Sequence, residues 1–496
     1  MTSSRSSQRR IAKAFSDLTE EILCVDIFYQ LTYMSATSAA GISRDKVFEL
    51  ARQLPIPPAQ YFSEINDLVA NLRYSYPDAC RMVGERVRSD EMKAFLLRLS
   101  DTLRSGEPLA SFLHQEARVQ GENYSNEYER NLESLKKWND GYTSVTVSVA
   151  LVVIINMVST MIYNLGTVTM VGMVMVAAMT GFGVAWVLSR AAPQEVKHGS
   201  LAEGDEKQRL ALKLFHILGP VAGVVALALI LFGAKWGWIM IAVAVFLAPI
   251  GVVSLVAENK ITKKDKEISA FFRTIGGTAT SRGTTLTDAL DSMKIDSFPT
   301  LEPDIRRLLL RLKAVGNPKL CWQKFGVETG SKLIERTTGI FYQATNLGGD
   351  PERAGFLSSL FSMRTAMLRA KRSGVAATFT WLLIVMHTVL AALMVFLLEI
   401  LRQFTLLLEE SMASLEQGED ALGAMSLDML SFGLPNVPFL ETITIGMIFI
   451  LAFANAYATI ASEGSHLLKF FFYLSILLFL SGVSVLVVPS MVYLVM

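Results

Sequence analysis

The chain has 496 residues, with 46 Lys and Arg against 45 Asp and Glu, a formal net charge of +1. Hydrophobic residues make up 51% and charged residues 18%, against roughly 25% charged in soluble domains. These figures exclude a disordered, collagen-like or disulfide-rich chain, and the missing basic excess argues against a free-standing nucleic-acid binder.

Segment 1–142 opens polar and basic, MTSSRSSQRR, with no apolar core behind it, so no cleavable signal peptide is expected. Helical apolar spacing at Leu18, Ile22, Val25, Phe28 and Tyr29 predicts a helix over Leu18–Ala40, ended by Gly41. Arg44–Leu54, Met92–Leu103 and Tyr124–Trp138 are predicted to follow, the last running toward the membrane. Segment 1–142 is therefore expected to be a helical domain on its own. Seven later runs reach the ~20 apolar residues that a helix needs to cross a bilayer: Thr143–Tyr163, Thr167–Ser189, Leu214–Phe232, Trp236–Ala257, Val375–Leu401, Pro438–Ala461 and Leu468–Val495. The predicted order is spans 1 and 2 in 143–189, a loop at 190–213, spans 3 and 4 in 214–257, a second helical domain at 258–374, span 5 at 375–401, an acidic loop at 402–437, and spans 6 and 7 in 438–496. Within the second domain, helices are expected at Glu267–Ser281, Leu286–Met293, Ile305–Val315, Lys332–Asn346 and Pro351–Arg372. The fold class is all-α: a polytopic membrane protein with two cytoplasmic helical bundles.

Lys and Arg set the orientation. Segments 1–142, 190–213 and 258–374 hold 43 of the 46. A cytoplasmic N-terminus puts all three inside, with the 402–437 loop and the C-terminus outside. Cys24, Cys80 and Cys321 then lie in a reducing compartment and read as core thiols. No Cys or His spacing suggests a metal.

The two helical segments share a short repeat. Gly106-Glu-Pro-Leu109-Ala-Ser-Phe112-Leu113 and Gly283-Thr-Thr-Leu286-Thr-Asp-Ala289-Leu290 both read G-x-x-L-x-x-[FA]-L, while Gly41 and Gly316 mark two further corners. Glycine ends one helix with φ > 0, and the apolar residues after it start the return helix. These corners, the stretch Asn346-Leu-Gly-Gly-Asp350 and the polar helix Glu127–Trp138 feeding the first span resemble the type II secretion F family. Four spans between the two domains and three after them resemble its archaeal branch, the platforms of archaella and related pili. The resemblance implies a membrane platform, expected as a homodimer. A hexameric secretion ATPase would dock on it and drive insertion of pilin- or archaellin-like subunits. A bacterial-type platform and a transporter are the alternatives.

Catalytic motifs are missing from the sequence. A P-loop needs G-x-x-x-x-G-K-[ST] so that a lysine reaches the phosphates. Gly276–Gly283 is glycine-rich but has no lysine, and reads as a helix end. No H-E-x-x-H or G-x-S-x-G occurs, so neither an enzyme activity nor a cofactor is expected. Given the resemblance, the basic residues are candidates for ATPase docking: Lys263, Lys264, Arg369, Lys371 and Arg372 beside Lys260 and Lys266 at the domain's flanks, and Arg306, Arg307, Arg311 and Lys313 within it. The bland readings are lipid anchoring for the flanks and a solvated helix face for Arg306–Lys313. These clusters lack interleaved aromatics, so nucleic acid is not expected. His387 falls near the middle of span 5, where an ionisable group is costly. It reads either as part of a proton path or as a neutral histidine hydrogen-bonded to a neighbouring helix through Asn156 or Asn455.

Overall fold

The computed structural model describes residues 20–162, 167–193, 195, 197, 206–314, 316–416 and 437–495. Among them there is no β-strand. Sixteen α-helices follow in chain order: α1 (Glu20–Ser38), α2 (Arg44–Ala51), α3 (Ala59–Leu72), α4 (Tyr76–Arg86), α5 (Asp90–Ser105), α6 (Leu109–Ile162), α7 (Thr167–Ala191), α8 (Glu206–Leu231), α9 (Trp236–Arg282), α10 (Leu286–Ser292), α11 (Glu302–Lys313), α12 (Pro318–Glu328), α13 (Lys332–Asn346), α14 (Pro351–Glu416), α15 (Val437–Glu463) and α16 (Phe470–Val495). Seven of these helices, α6 to α9 and α14 to α16, are long and apolar enough to cross a membrane. The all-helical, seven-span class expected from the sequence is therefore observed. The ends of three expected elements, near Leu18, Tyr163 and Val315, and most of the acidic 402–437 loop lie outside the described residues.

The helices fall into two compact units. One gathers Met1–Asn131, Pro193–Glu206 and Ala257–Lys371, so both charged helical segments share it. Its α1 is buried along nearly its whole described length. Phe48, Phe62, Phe95, Leu96, Leu99 and Leu113 pack around Ile27, Leu31 and Met34 of that helix. Farther along, Asp26 of α1 pairs with Arg336 of α13, 310 positions away, and Phe28 packs on Phe361 of α14. A second aromatic core joins Phe271 and Phe272 to Trp322, Phe325 and Phe341.

The two matched corners take the same conformation. Gly106 (φ 77°) and Gly283 (φ 61°) are left-handed, and the return helices begin at Leu109 and Leu286. Leu113, Ala289 and Leu290 are fully buried, which explains the apolar pair in the motif. Gly41 is also left-handed (φ 72°). At Gly316 the constraint is close packing: an added Cβ would lie 2.9 Å from Cys321 Sγ and 3.0 Å from the Arg311 carbonyl oxygen.

The Gly276–Gly283 run is a helix end only at its last residue. Gly276 lies inside α9, where a Cβ would fall 2.4 Å from the Pro351 carbonyl oxygen. Gly355 of α14 answers it, with its own Cβ position 2.4 Å from the Phe272 carbonyl oxygen. The same crossing is clamped by Asp350. Its carboxylate accepts from the Thr280 hydroxyl (2.8 Å) and from the backbone N–H groups of Glu352 and Arg353, capping α14. The Thr280 hydrogen bond, followed by these backbone N–H groups, holds the Asp350 carboxyl below its usual range. A depressed carboxylate stabilises the fold fully above the unfolded pKa, near 4, and that stability is lost as pH falls through the folded value. Asp350→Ala is expected to cost about 1 kcal/mol at neutral pH, the usual price of an N-cap, and less in acid. Thermal unfolding of both proteins at neutral and acidic pH checks this.

The other unit holds Leu132–Ala192, Lys207–Val256 and Arg372–Met496. Its apolar clusters are those of a helical bundle: Val149, Val153, Met394, Met447, Ile448 and Leu451 in one, Ala244, Leu247, Ile250, Leu474, Leu477 and Leu478 in the other. Small residues let spanning helices approach closely. A Cβ on Gly237 would sit 2.9 Å from the Gly482 carbonyl oxygen, and one on Gly251 would sit 2.3 Å from the Phe472 Cα. Pro220, Pro249 and Pro489 stand inside α8, α9 and α16, as spanning helices tolerate.

Candidate functional site: a basic helical face and a buried polar chain

The nine basic candidates separate by burial. On α11, Arg306, Arg307 and Lys313 are exposed and Arg311 is half-buried. Each is met by acids of the same unit. Arg306 pairs with Glu302 (2.8 Å) and Asp296 (3.5 Å), Arg307 with Asp304 and Glu328, Arg311 with Glu328 (2.8 Å), and Lys313 with Asp291 (2.6 Å). The charges are thus held in fixed directions and largely balanced. Lys263 is exposed on α9, and Lys371 pairs with Glu129 at the surface.

The other three basic candidates face inward. Lys264 is fully buried and pairs with Asp304 at 2.8 Å. Arg369 bridges Glu195 (2.6 Å) and Asp265 (2.7 Å), and Asp265 also accepts from the Ser331 hydroxyl. Arg372 donates to the carbonyl oxygens of Ala461 and Ser462, both at 3.0 Å. It therefore caps the C-terminal end of α15 with a cation, where the helix dipole favours one. Lys264 and Arg372 are buried and Arg369 is half-buried, each committed to partners within its own unit. Their sequence neighbours Lys263 and Lys371 look alike in composition but face outward.

The intramembrane candidates also separate. His387 of α14 is buried, and its Nε2 lies 2.9 Å from the Ser481 hydroxyl of α16. Its Nδ1 accepts from the Asn455 amide of α15 at 3.1 Å, and the Asn455 carbonyl oxygen accepts from the Tyr142 hydroxyl of α6 at 2.8 Å. The Ser481 hydroxyl in turn donates to the Leu477 carbonyl oxygen. With Nδ1 accepting and Nε2 donating, the imidazole is neutral. The chain links four spanning helices through side chains and ends on a backbone carbonyl. Asn156 is buried but does not join it; its side-chain oxygen has no hydrogen-bond partner.

Two arrangements escaped the sequence reading. One is the Asp26–Arg336 pair, with Arg336 also lying over the Tyr29 ring at 5.1 Å. Burial raises the Asp26 carboxyl above its usual range, and Arg336 works against that shift. The other is the convergence of Cys24, Glu91 and Glu127, whose ligand atoms lie within 4.8 Å of one another. Burial first, then Glu127 and Glu91, push the Cys24 thiol far above its ordinary value. A neutral thiol is a poor metal ligand. No local spacing signals either arrangement, since their members lie 36 or more positions apart, apart from the one helical turn between Asp26 and Tyr29.

This architecture defines a class: an all-helical, multi-pass membrane protein whose first span grows out of a helical hairpin domain. Residues 31–157 match the type II secretion system protein F family. The matched stretch includes the Gly106–Leu113 corner and the polar helix leading into the first span, two of the features on which the resemblance rests. It is similar to Flagella accessory protein J of Methanocaldococcus jannaschii, 27% identical over 314 residues, which cover 60% of this chain and 55% of the relative. Flagella accessory protein J of Methanococcus voltae is 24% identical over 313 residues, 60% of this chain and 56% of the relative. The chain thus spans just over half the length of the curated relatives it matches. No solved structure matches the chain.

Proposed function

We propose that this protein is the cell-membrane platform of an archaeal type IV filament machine, an archaellum or a related pilus. The observation that carries the reading is the reach of the family match. It begins in α1, runs through the helical hairpins and ends at residue 157, inside the first spanning helix. The matched part therefore includes the domain and its junction with the membrane. Similarity to two proteins named flagella accessory protein J supports the filament assignment.

On this reading both charged segments face the cytoplasm and the 402–437 loop faces outward, in keeping with the Lys and Arg distribution. A secretion ATPase in trans supplies the work, since the chain has no P-loop of its own. It docks on the cytoplasmic unit, and the platform passes pilin-like subunits from the bilayer to the filament base, working as a homodimer. The neutral His387 chain favours a structural latch over a proton path. Deleting the gene in its source organism is expected to abolish one class of surface filament while its subunits accumulate in the membrane, and re-expression restores the filaments. Unchanged filaments in the deletion strain would reject the proposal.

Because Arg306 and Lys313 are exposed on α11 with their counter-ions beside them, they tune encounter more than residence. Arg306→Glu with Lys313→Glu is expected to slow association with the ATPase roughly tenfold at low salt and to have little effect at high salt. Surface-plasmon association rates across a salt series measure this.

A further inference from the structure

We infer that the α11–α12 hairpin carries the contact core for an acidic protein partner, with Leu310 and Leu320 as its apolar centre and Lys319 and Lys324 as its uncompensated charges. The inference rests on the platform reading and assigns its docking surface.

Leu310 is 67% exposed and Leu320 is 54% exposed. Each directly precedes a residue that touches Gly316: the Arg311 carbonyl oxygen and Cys321 Sγ lie 3.0 and 2.9 Å from its Cβ position. The two leucines therefore flank one tight corner. Isolated exposed leucines need no explanation, but these two sit in an unusual electrostatic setting. From Ile305 to Val327 the sequence carries Arg306, Arg307, Arg311, Lys313, Lys319 and Lys324 and no acid at all. Acids from flanking segments pair with the four α11 cations. Lys319 and Lys324 are exposed, and among the described residues neither has an ion-pair partner. An apolar centre with a basic rim is complementary to a protein surface that offers apolar side chains ringed by carboxylates.

The corner's chemistry selects protein over the other polyanions. Its aromatic residues, Trp322 and Phe325, are buried in the aromatic core, so no ring is available to stack on bases or to sit among lipid headgroups. Arg307 and Arg311 are each fixed by Glu328, an arrangement suited to a shaped surface more than to a fluid one.

The test uses the full-length protein in detergent and the source organism's purified secretion ATPases as probes. Leu310→Ser with Leu320→Ser is expected to weaken capture of the cognate ATPase at least tenfold at every salt concentration, with the melting temperature of the platform unchanged. Lys319→Gln with Lys324→Gln should instead flatten the salt dependence. Capture by wild type that the leucine variant retains in full would overturn this assignment and leave the platform reading standing. Failure of wild type to capture any secretion ATPase would remove both. Loss of binding to anionic vesicles with ATPase capture intact would reassign the corner to lipid and overturn the inference.

Discussion

Lys264→Met is expected to lower the stability of its unit by about 3–5 kcal/mol, the usual cost of removing one member of a buried ion pair. Lys264 is fully buried, and its ammonium lies 2.8 Å from Asp304. Asp304 is itself almost fully buried and, among the described residues, keeps only Arg307 as a cation when the lysine is gone. The penalty is that of a desolvated carboxylate left half-neutralised, rather than the worth of the pair. Removing both charges together avoids it, so Lys264→Met with Asp304→Leu should recover most of the loss. Melting temperatures of the three proteins in one detergent decide the matter. A single variant as stable as wild type would show that Lys264 reaches water and is free to serve a partner.

Gly276→Ala is expected to cost about 1–3 kcal/mol by overpacking, while Gly277→Ala should be neutral or stabilise by up to about 1 kcal/mol. The two glycines are neighbours in one helix with opposite surroundings. A Cβ on Gly276 would lie 2.4 Å from the Pro351 carbonyl oxygen, whereas nothing stands within 4 Å of one on Gly277. The obstacle at Gly276 is backbone, at the capped start of α14, so relief requires the two helices to separate. That movement would also pull Thr280 from Asp350. Equal melting temperatures for the two variants would contradict the close crossing.

The sequence displayed what is periodic and local. Apolar runs announced the spanning helices, and the motif around Gly106 and Gly283 announced two corners that are conformationally alike. Helix α12 has no counterpart among the predicted elements, although Asn317 and Pro318, which follow the Gly316 corner, cap and open it. Its apolar side chains are short in number and broken by Gly326, so helical spacing barely shows. Helices α3 and α4 have no counterpart among the predicted elements: Pro55, Pro57 and Pro58 follow the predicted Arg44–Leu54 helix as an ending would, while Pro58 stands at the start of α3.

The candidate site was legible in composition but not in direction. Lys263 and Lys264 are adjacent, yet one faces solvent and the other is fully buried, and only the packing of α9 against α11 distinguishes them. Likewise Asn156 and Asn455 are equally polar residues in spanning helices. Asn455 meets His387 because α15 and α14 bring them together across 68 positions.

Co-purification in detergent of the full-length protein with each secretion ATPase of its source organism tests the central claim most directly. The account predicts stable capture of one such ATPase by the folded platform, weakened by substitutions on the α11–α12 hairpin. A folded platform that captures none of them would contradict it.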